Sequence, residues 1–233
     1  KKNDLKPWQR KQWCIGNITG EYVARMEDVL HLYEQAYDPL LPVICFDERP
    51  CQLIGDTVSP LPAGPGKAAK EDYHYERNGT CALLIAFEPL SGRRFAEVTE
   101  TRTKKDYACF MGKLADCYYP CTEKIRVVQD NLNTHSAGSF YAAFAPEKAF
   151  ELAQRFEFHH TPTKASWLNM VEIEISAIAT ECLHRRIPDI ETLRREVRIC
   201  VGERNKQKAT VRWRFTETDA GKKMERHYPV IQI

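Results

Sequence analysis

The hydrophobic and polar positions of the chain follow two periods, one typical of helices and one typical of strands. Apolar residues recur every third or fourth position over residues 21–37, which predicts a helix. Residues 43–46 form an unbroken apolar run, which predicts a strand covered on both faces and ending at Asp47 and Glu48. The helical period returns over residues 104–118, 136–154 with an interruption at Pro146, 166–183 and 189–202.

Other short runs, rich in β-branched and aromatic residues, predict further strands. They cover residues 73–77, 80–87, 94–99, 125–129, 156–159 and 210–215. The Asn78-Gly79 pair between the first two runs is typical of a two-residue hairpin turn. Residues 60–70 are rich in proline, glycine, alanine and lysine and predict a loop. Antiparallel strands followed by strand–helix alternation indicate an α/β domain with a mixed sheet, a description that more than one fold satisfies.

Two of the predicted strands are followed by an aspartate. Asp47 follows the run 43–46, and Asp130 follows the run 125–129. A carboxylate at the carboxyl end of a buried strand projects into the crevice where open α/β sheets bind ligands. The alternative is that each aspartate only begins a turn, as this residue type often does.

The helix predicted over residues 166–183 supplies a third acid. Its apolar stripe consists of Leu168, Val171, Ile175, Ile178 and Cys182. Asn169 and Glu172 lie in a polar row beside that stripe, whereas Glu174 is roughly opposite and is the weaker candidate. A solvated surface glutamate is the alternative. Three converging carboxylates repel one another unless a cation neutralises them, and oxygen ligands favour Mg²⁺ or Mn²⁺. Two such ions, about 3.5–4 Å apart, suit cleavage of a phosphodiester.

Three sequence blocks resemble the catalytic motifs of bacterial insertion-sequence transposases in the mariner-related branch of the DDE superfamily. The blocks run over residues 43–48, 127–135 and 161–172, and residues 73–80 and 185–205 are also similar. The resemblance covers nearly the whole chain. It implies an RNase H-like α/β fold, with a mixed five-stranded sheet flanked by helices. It also implies two Mg²⁺ or Mn²⁺ ions, DNA cleavage at element ends and strand transfer into target DNA.

Carried over by position, the family's catalytic metal ligands are Asp47, Asp130 and Glu172. The 41 residues between Asp130 and Glu172 exceed the family's usual spacing, which we attribute to a charged insert around 146–155. Polar residues near these acids are candidates for positioning substrate or metal ligands, with purely structural roles as the alternative. They are Glu48, Asn131, His135 and Asn169. On a strand, Glu48 is expected to face away from its neighbour Asp47.

The composition excludes several classes of protein. The 233 residues are 43% hydrophobic and 28% charged, ordinary globular proportions that exclude a disordered or collagen-like chain. The longest apolar run, residues 81–87, is far shorter than the roughly 18 residues of a membrane-spanning helix. Nine scattered cysteines without a Cys-x-x-Cys pair predict reduced thiols and a cytoplasmic location. Cys117 and Cys121 have the spacing of half a zinc site, but no second pair follows.

The formal charge of +2, from 34 basic and 32 acidic residues, hides an uneven distribution. Residues 194–226 carry eleven Lys or Arg against five acids, with Trp213, Phe215 and Tyr228 interleaved. This predicts a surface that contacts DNA phosphates, with a solvated helix face and its salt bridges as the alternative. The candidate DNA-binding residues, including two from the loop at 60–70, are Lys67, Lys70, Lys164, Arg204, Lys206, Lys208, Arg212 and Arg214.

Three segments are expected. Residues 1–38 form a basic lead-in and a helix, 39–184 the catalytic core, and 185–233 a helix and basic tail that pack on the core. The chain begins with Lys1, so we expect an upstream segment with the family's helix-turn-helix to be missing. The expected partner is double-stranded DNA, as inverted repeats and target, bound by a homodimer at the bacterial nucleoid. The alternatives are another RNase H-fold nuclease or a DNA-binding relic without turnover.

Overall fold

The computed structural model describes residues 18–225, so the basic lead-in predicted before the first helix falls on residues outside the described range. Its centre is one five-stranded sheet. The strands are β1 (Val43–Asp56), β2 (Tyr75–Glu88), β3 (Arg93–Thr99), β4 (Ile125–Gln129) and β5 (Phe156–His160). Their order is β3-β2-β1-β4-β5; β1, β2 and β3 pair antiparallel, and β1, β4 and β5 pair parallel. The predicted mixed five-stranded α/β sheet is therefore confirmed.

Six α-helices accompany the sheet in the described part of the chain. They are α1 (Gly20–Glu34), α2 (Lys104–Lys113), α3 (Pro146–Arg155), α4 (Val171–Glu181), α5 (Ile190–Gln207) and α6 (Glu217–Met224). Several begin at side chains that satisfy free backbone N–H groups, such as Thr19 before α1 and Asp189 before α5. The proline predicted to interrupt a helix lies at the first position of α3, where its missing N–H costs little. Within residues 18–225, every helix is too short or too polar to cross a membrane.

Helices cover both faces of the sheet. On β1, Ile44 and Phe46 pack with residues of α2 and α3 in one buried cluster. Cys45 points the other way, into a cluster to which α1, α4 and α5 contribute. Burial of a side chain such as Phe46 stabilises the fold by about 1.5–3 kcal/mol, so β1, buried on both faces, anchors both layers.

The strand that begins at residue 43 is longer than predicted, and Asp47 and Glu48 lie inside it. β1 pairs with β4 over three residues only, but with β2 from Cys45 to its last residue, Asp56. The prediction that the strand ends at the acids is therefore wrong; what ends there is the pairing with β4. Beyond Cys45, β1 has a neighbouring strand on one side only. This position at the edge of the sheet tolerates polar residues and also accommodates Pro50.

Asn78 and Gly79 do not form the predicted hairpin turn. β2 passes through both, and its register with β1 shifts there, as in a β-bulge. Gly79 has a φ of +111°, a conformation that favours glycine. The Asn78 side-chain amide donates to the carbonyl of Pro188 at 2.9 Å. The turn between β2 and β3 comes after Glu88, where Gly92 has a φ of +69°.

Three further boundaries differ from the predictions. The helix predicted over residues 166–183 is divided, because a short 3-10 turn at Ser166–Leu168 precedes α4. α5 continues past the predicted end at residue 202 as far as Gln207. Residues 210–215 are not part of a strand. This segment connects α5 to α6, and its aromatic side chains Trp213 and Phe215 pack against the core.

Candidate active site

Asp47 and Asp130 come together where β1 and β4 stop pairing. The last aligned residues of these parallel strands are Cys45 and Val128, and each aspartate lies two residues further along the chain. Side chains alternate between the faces of a strand with a period of two, so both aspartates share the face of Cys45 and Val128. The helices α1, α4 and α5 cover this face.

Glu172 reaches the same face from the first turn of α4. This helix has no side-chain cap, so contacts of the segment before it determine where it begins. The buried side-chain amide of Asn169 donates to the carbonyl of Phe46 at 2.8 Å. Asn169 thereby links the segment that carries Glu172 to the segment that carries Asp47.

The charges of Asp130 and Glu172 act on Asp47. The pKa of Asp47 is raised to about 6, chiefly by burial and additionally by the negative charges of Asp130 and Glu172. The backbone N–H of Glu48 donates to Asp47 Oδ1 at 2.7 Å and works against this rise. Carboxylates that repel one another in a half-buried place are the electrostatic situation that a bound cation relieves.

His135 connects Asp130 with Glu48. Its Nδ1 hydrogen-bonds to the Asp130 carboxylate, and its Nε2 lies 3.7 Å from Glu48 Oε2. Burial alone lowers the pKa of His135, but the carboxylates of Asp130 and Glu48 together raise it to about 9. The ring stacks on Tyr107 with centroids 5.0 Å apart. His135 therefore holds one oxygen of Asp130. The carboxylate of Glu48, which lies on the opposite face of β1 from Asp47, is near the other ring nitrogen. Asn131, next to Asp130, is exposed.

The donor set suits a hard divalent cation, although the side chains have not converged. Within residues 18–225, no three His, Cys, Asp or Glu side chains form a ready-made metal-binding group. One oxygen of Asp130 is directed at His135 instead. The backbone nevertheless places Asp47, Asp130 and Glu172 on one face, with oxygen donors only, as Mg²⁺ and Mn²⁺ prefer.

Several of the predicted DNA-binding residues are exposed. Arg212 and Arg214 point outward and alternate with Trp213 and Phe215, which pack on the core. Lys67, Lys70, Lys164, Lys206 and Lys208 are also exposed, and among these Lys206 pairs with Glu203 at 2.7 Å. Trp167, which immediately precedes Leu168, is 44% exposed and stacks on Trp213.

Arg204 differs from the other predicted DNA-binding residues. Its side chain is only 14% exposed, and its guanidinium pairs with Glu174 at 2.9 Å and with Glu181 at 2.5 Å. These contacts give Arg204 a role inside the fold and do not support a contact with DNA. Glu174, the weaker of the two glutamates considered on α4, is buried and occupied by this pairing.

Sequence reasoning missed two residues beside the acids. Gln129 is fully buried; its amide donates to the carbonyl of His135 at 3.0 Å and its carbonyl accepts from the Tyr107 hydroxyl at 2.8 Å. The available signal was a polar residue at the end of the strand predicted over 125–129. Arg102 lies 3.6 Å from Glu48 Oε1 and is largely exposed. Its position depends on the path of the chain after β3, which the sequence pattern does not encode.

The chain matches one known protein family and is similar to solved structures. The family described as DDE superfamily endonuclease matches residues 42–194. A Mos1 mariner paired-end complex with Mn is similar in structure, with a TM-score of 0.51, 13% identity, and coverage of 86% of this chain and 64% of that one. A Mos1 strand transfer complex has a TM-score of 0.52, 12% identity, and coverage of 89% and 65%. No curated protein matches the sequence.

These structural likenesses, at low identity, show a shared RNase H-like fold. The chain spans 64% and 65% of the lengths of the two Mos1 chains. The family match covers well over half of the sequence and includes Asp47, Asp130 and Glu172. The chain therefore belongs to the DDE superfamily of endonucleases.

Proposed function

We propose that this chain is the catalytic part of a DNA transposase, which cleaves DNA at the ends of a mobile element and joins those ends to target DNA. The observation that carries the proposal is the placement of Asp47, Asp130 and Glu172 on one face, at the end of a parallel strand pair, in a DDE endonuclease. The Mos1 chains of similar fold come from a paired-end complex and a strand transfer complex, which favours transposition over simple hydrolysis.

Asp47, Asp130 and Glu172 are the proposed ligands of two Mg²⁺ or Mn²⁺ ions. When bound, such ions activate an attacking oxygen and stabilise the leaving oxygen of a phosphodiester. The protein supplies the frame for this chemistry. Asn169 fixes the start of α4 against β1, and His135 orients Asp130 while keeping the charge of Glu48 compensated.

The proposed substrate is double-stranded DNA, with inverted repeats and target held by a homodimer in the cytoplasm. The exposed side chains of Arg212, Arg214 and Lys164 provide positive charge outside the acidic site. Phosphate contacts of this kind position a duplex without reading its sequence. Arg102, at the edge of the site beside Glu48, is a further candidate for a phosphate contact.

Nicking of a supercoiled plasmid in Mn²⁺ tests the cleavage step. Asp47→Ala, Asp130→Ala and Glu172→Ala are each expected to lower the nicking rate by at least about 100-fold, since each removes a metal ligand. Glu100→Gln, an exposed acid just after β3, is the matched control and should nick at the native rate. Native rates in Asp47→Ala and Asp130→Ala would sink the proposal.

A second assay separates a transposase from a hydrolytic nuclease. A fluorescent duplex with a free 3′-hydroxyl is incubated with unlabelled plasmid, and joined product is measured on a gel. A transposase transfers the label to the plasmid, and the three Ala variants do not. Plasmid nicking without any labelled product would favour another nuclease of this fold, and metal-independent DNA binding alone would favour a silent relic.

A further inference from the structure

A buried ion cluster lies beside Glu172, formed by Arg94 of β3, Glu174 of α4 and Arg204 of α5. The side chains of Arg94 and Glu174 are 0% and 1% exposed. Arg94 donates from Nε to Glu174 Oε2 at 2.6 Å and from Nη2 to Oε1 at 2.8 Å. Arg204 donates to the same two oxygens at 2.9 and 3.2 Å. Both oxygens of Glu174 are therefore held twice.

The remaining donors of Arg94 tie this cluster to the chain on either side. Nη1 donates to the carbonyl of Gly92 at 2.6 Å, and Nη2 donates to the carbonyl of Ala209 at 2.8 Å. Arg94 thus joins the start of β3 to the segment after α5, with α4 held between them. The guanidinium also lies over the ring of Phe87, 4.8 Å from its centroid.

Stability alone does not explain this arrangement. Burying three charged groups carries a large desolvation cost, and well-packed apolar residues often stabilise such a place equally well. The ion cluster does fix orientation, because bidentate arginine–carboxylate pairing fixes how both partners point. For α4, this pairing limits rotation of the helix about its own axis. A helix with side chains about 5–6 Å from its axis moves their ends by about 3 Å when it rotates by about 30°.

We propose that Glu174, clamped by Arg94 and Arg204, is a positioning residue that sets the rotation of α4 and thereby aims Glu172 at Asp47. The inference rests on the proposed role of Glu172 as a metal ligand. Glu174 lies in the same first turn, where α4 has no side-chain cap of its own. With Asn169 fixing the start of α4 on β1 and Glu174 fixing its rotation, the Cα–Cβ bond of Glu172 has one direction.

Mn²⁺ titration followed by electron paramagnetic resonance tests this role without relying on turnover. Glu174→Gln keeps the shape of the side chain and removes its charge. We expect its Mn²⁺ affinity and the kcat for plasmid nicking to fall by about 10–100-fold, the range found when a residue that orients a metal ligand is lost. KM for DNA should not change. Glu181→Gln, which removes the other partner of Arg204 near the end of α4, should remain within about twofold of the native protein.

A double-mutant cycle distinguishes positioning from general damage. If Glu174 acts through Glu172, Glu174→Gln has no further effect on Mn²⁺ affinity in a Glu172→Gln background. Equal losses in both backgrounds would overturn the inference, and so would native Mn²⁺ affinity in Glu174→Gln. If Glu172→Gln itself binds Mn²⁺ normally, the proposed metal role of Glu172 fails and the inference fails with it.

Arg204→Gln is the milder variant, should Glu174→Gln not fold. It leaves the Arg94–Glu174 pair intact, so we expect a smaller loss of Mn²⁺ affinity with an unchanged KM for DNA. A raised KM for DNA together with native Mn²⁺ affinity would show that Arg204 contacts DNA, and would overturn its role in positioning.

Discussion

Each acid of the candidate site is controlled by a different neighbour. Asp47 accepts the N–H of Glu48, Asp130 hydrogen-bonds to His135, and Glu172 depends on the start of α4. The acids lie on three separate segments of the chain, so their relative placement depends on contacts between those segments. A change at such a contact should therefore affect both stability and metal-dependent activity.

Asn169→Ala is the sharpest test of this at the residue scale. The substitution leaves the buried carbonyl of Phe46 without its donor, which should cost about 1–3 kcal/mol in the free energy of unfolding. Urea denaturation measures the loss, and plasmid nicking should slow as well. Asn131→Ala, an exposed asparagine near the same site, should stay within about 0.5 kcal/mol of the native protein. Equal effects of the two would contradict the role of the Asn169 amide.

Two glycines are expected to respond to alanine with opposite signs. Gly92 has a φ of +69°, and an added Cβ comes within 2.8 Å of the backbone of Lys208, so Gly92→Ala should destabilise by about 1–3 kcal/mol. Gly202 is helical with open space around it, so Gly202→Ala should stabilise by about 0.5–1 kcal/mol. Thermal or urea unfolding of both variants measures the two changes in stability. A neutral Gly92→Ala would mean that the β2–β3 turn does not pack on the end of α5.

At the scale of elements, the hydrophobic pattern predicted the type of most segments, while neighbouring strands decided where they end. Residues 125–129 match β4 because its pairing with β1 stops at Val128 and its pairing with β5 stops at Gln129. The run 43–46 continues as β1 because β2 offers a partner far beyond Asp47. Asn78 and Gly79 have the local chemistry of a turn, which a bulge uses equally well, so only the pairing partner distinguishes the two.

The residues of the candidate site differ in how strongly the local sequence indicates them. Asp47, Asp130 and Glu172 each follow or border an apolar run, and that local signal made them candidates. The partners of Glu174 are 80 and 30 residues away along the chain, in β3 and α5. No local pattern indicates such a pairing, so the sequence suggested a contact with DNA for Arg204 where the fold uses it internally.

The start of α2 provides a test of pH dependence at this scale. Thr103 and Asp106 form a capping box, and although burial alone raises the pKa of Asp106, hydrogen bonds from Thr101 and Thr103 lower it overall. A lowered folded-state pKa means that the contribution is complete above the unfolded value, near 3.9, and is lost as pH falls through the folded value. Asp106→Asn should therefore cost about 0.5–1 kcal/mol at about pH 7, with the deficit shrinking at about pH 3.

Urea denaturation of native and Asp106→Asn protein at both pH values measures this change. Thr103→Ala removes the other half of the box and should cost about 1 kcal/mol. Glu100→Gln, exposed and outside the box, controls for the loss of one negative charge. A deficit of Asp106→Asn that grows as pH falls would contradict the capping role.

For the whole molecule, the near-zero net charge is the sum of an acidic set and a basic set of nearly equal size. The first set includes the acids of the candidate metal site, where β1 and β4 diverge, and the second is the arginines and lysines, of which several exposed members are the proposed contacts for DNA. Ion pairs within the fold consume part of the second set, as Arg94 and Arg204 show. A count of basic residues therefore overstates the charge available to DNA, and the structure indicates which residues to subtract.

The salt dependence of DNA binding tests which basic residues contact phosphates and which are paired inside the fold. Each phosphate contact contributes about −0.9 to the slope of log affinity against log salt concentration. If the exposed Arg212 and Arg214 both contact phosphates, the double variant Arg212→Ala/Arg214→Ala should reduce the magnitude of the slope by about 2, with similar losses on unrelated sequences. Arg204→Gln removes the same kind of charge from an internal ion pair and should leave the slope unchanged.

Fluorescence anisotropy with a labelled duplex measures both slopes. A native slope in the double variant, or a reduced slope in Arg204→Gln, would mean that DNA lies on a different face of the molecule.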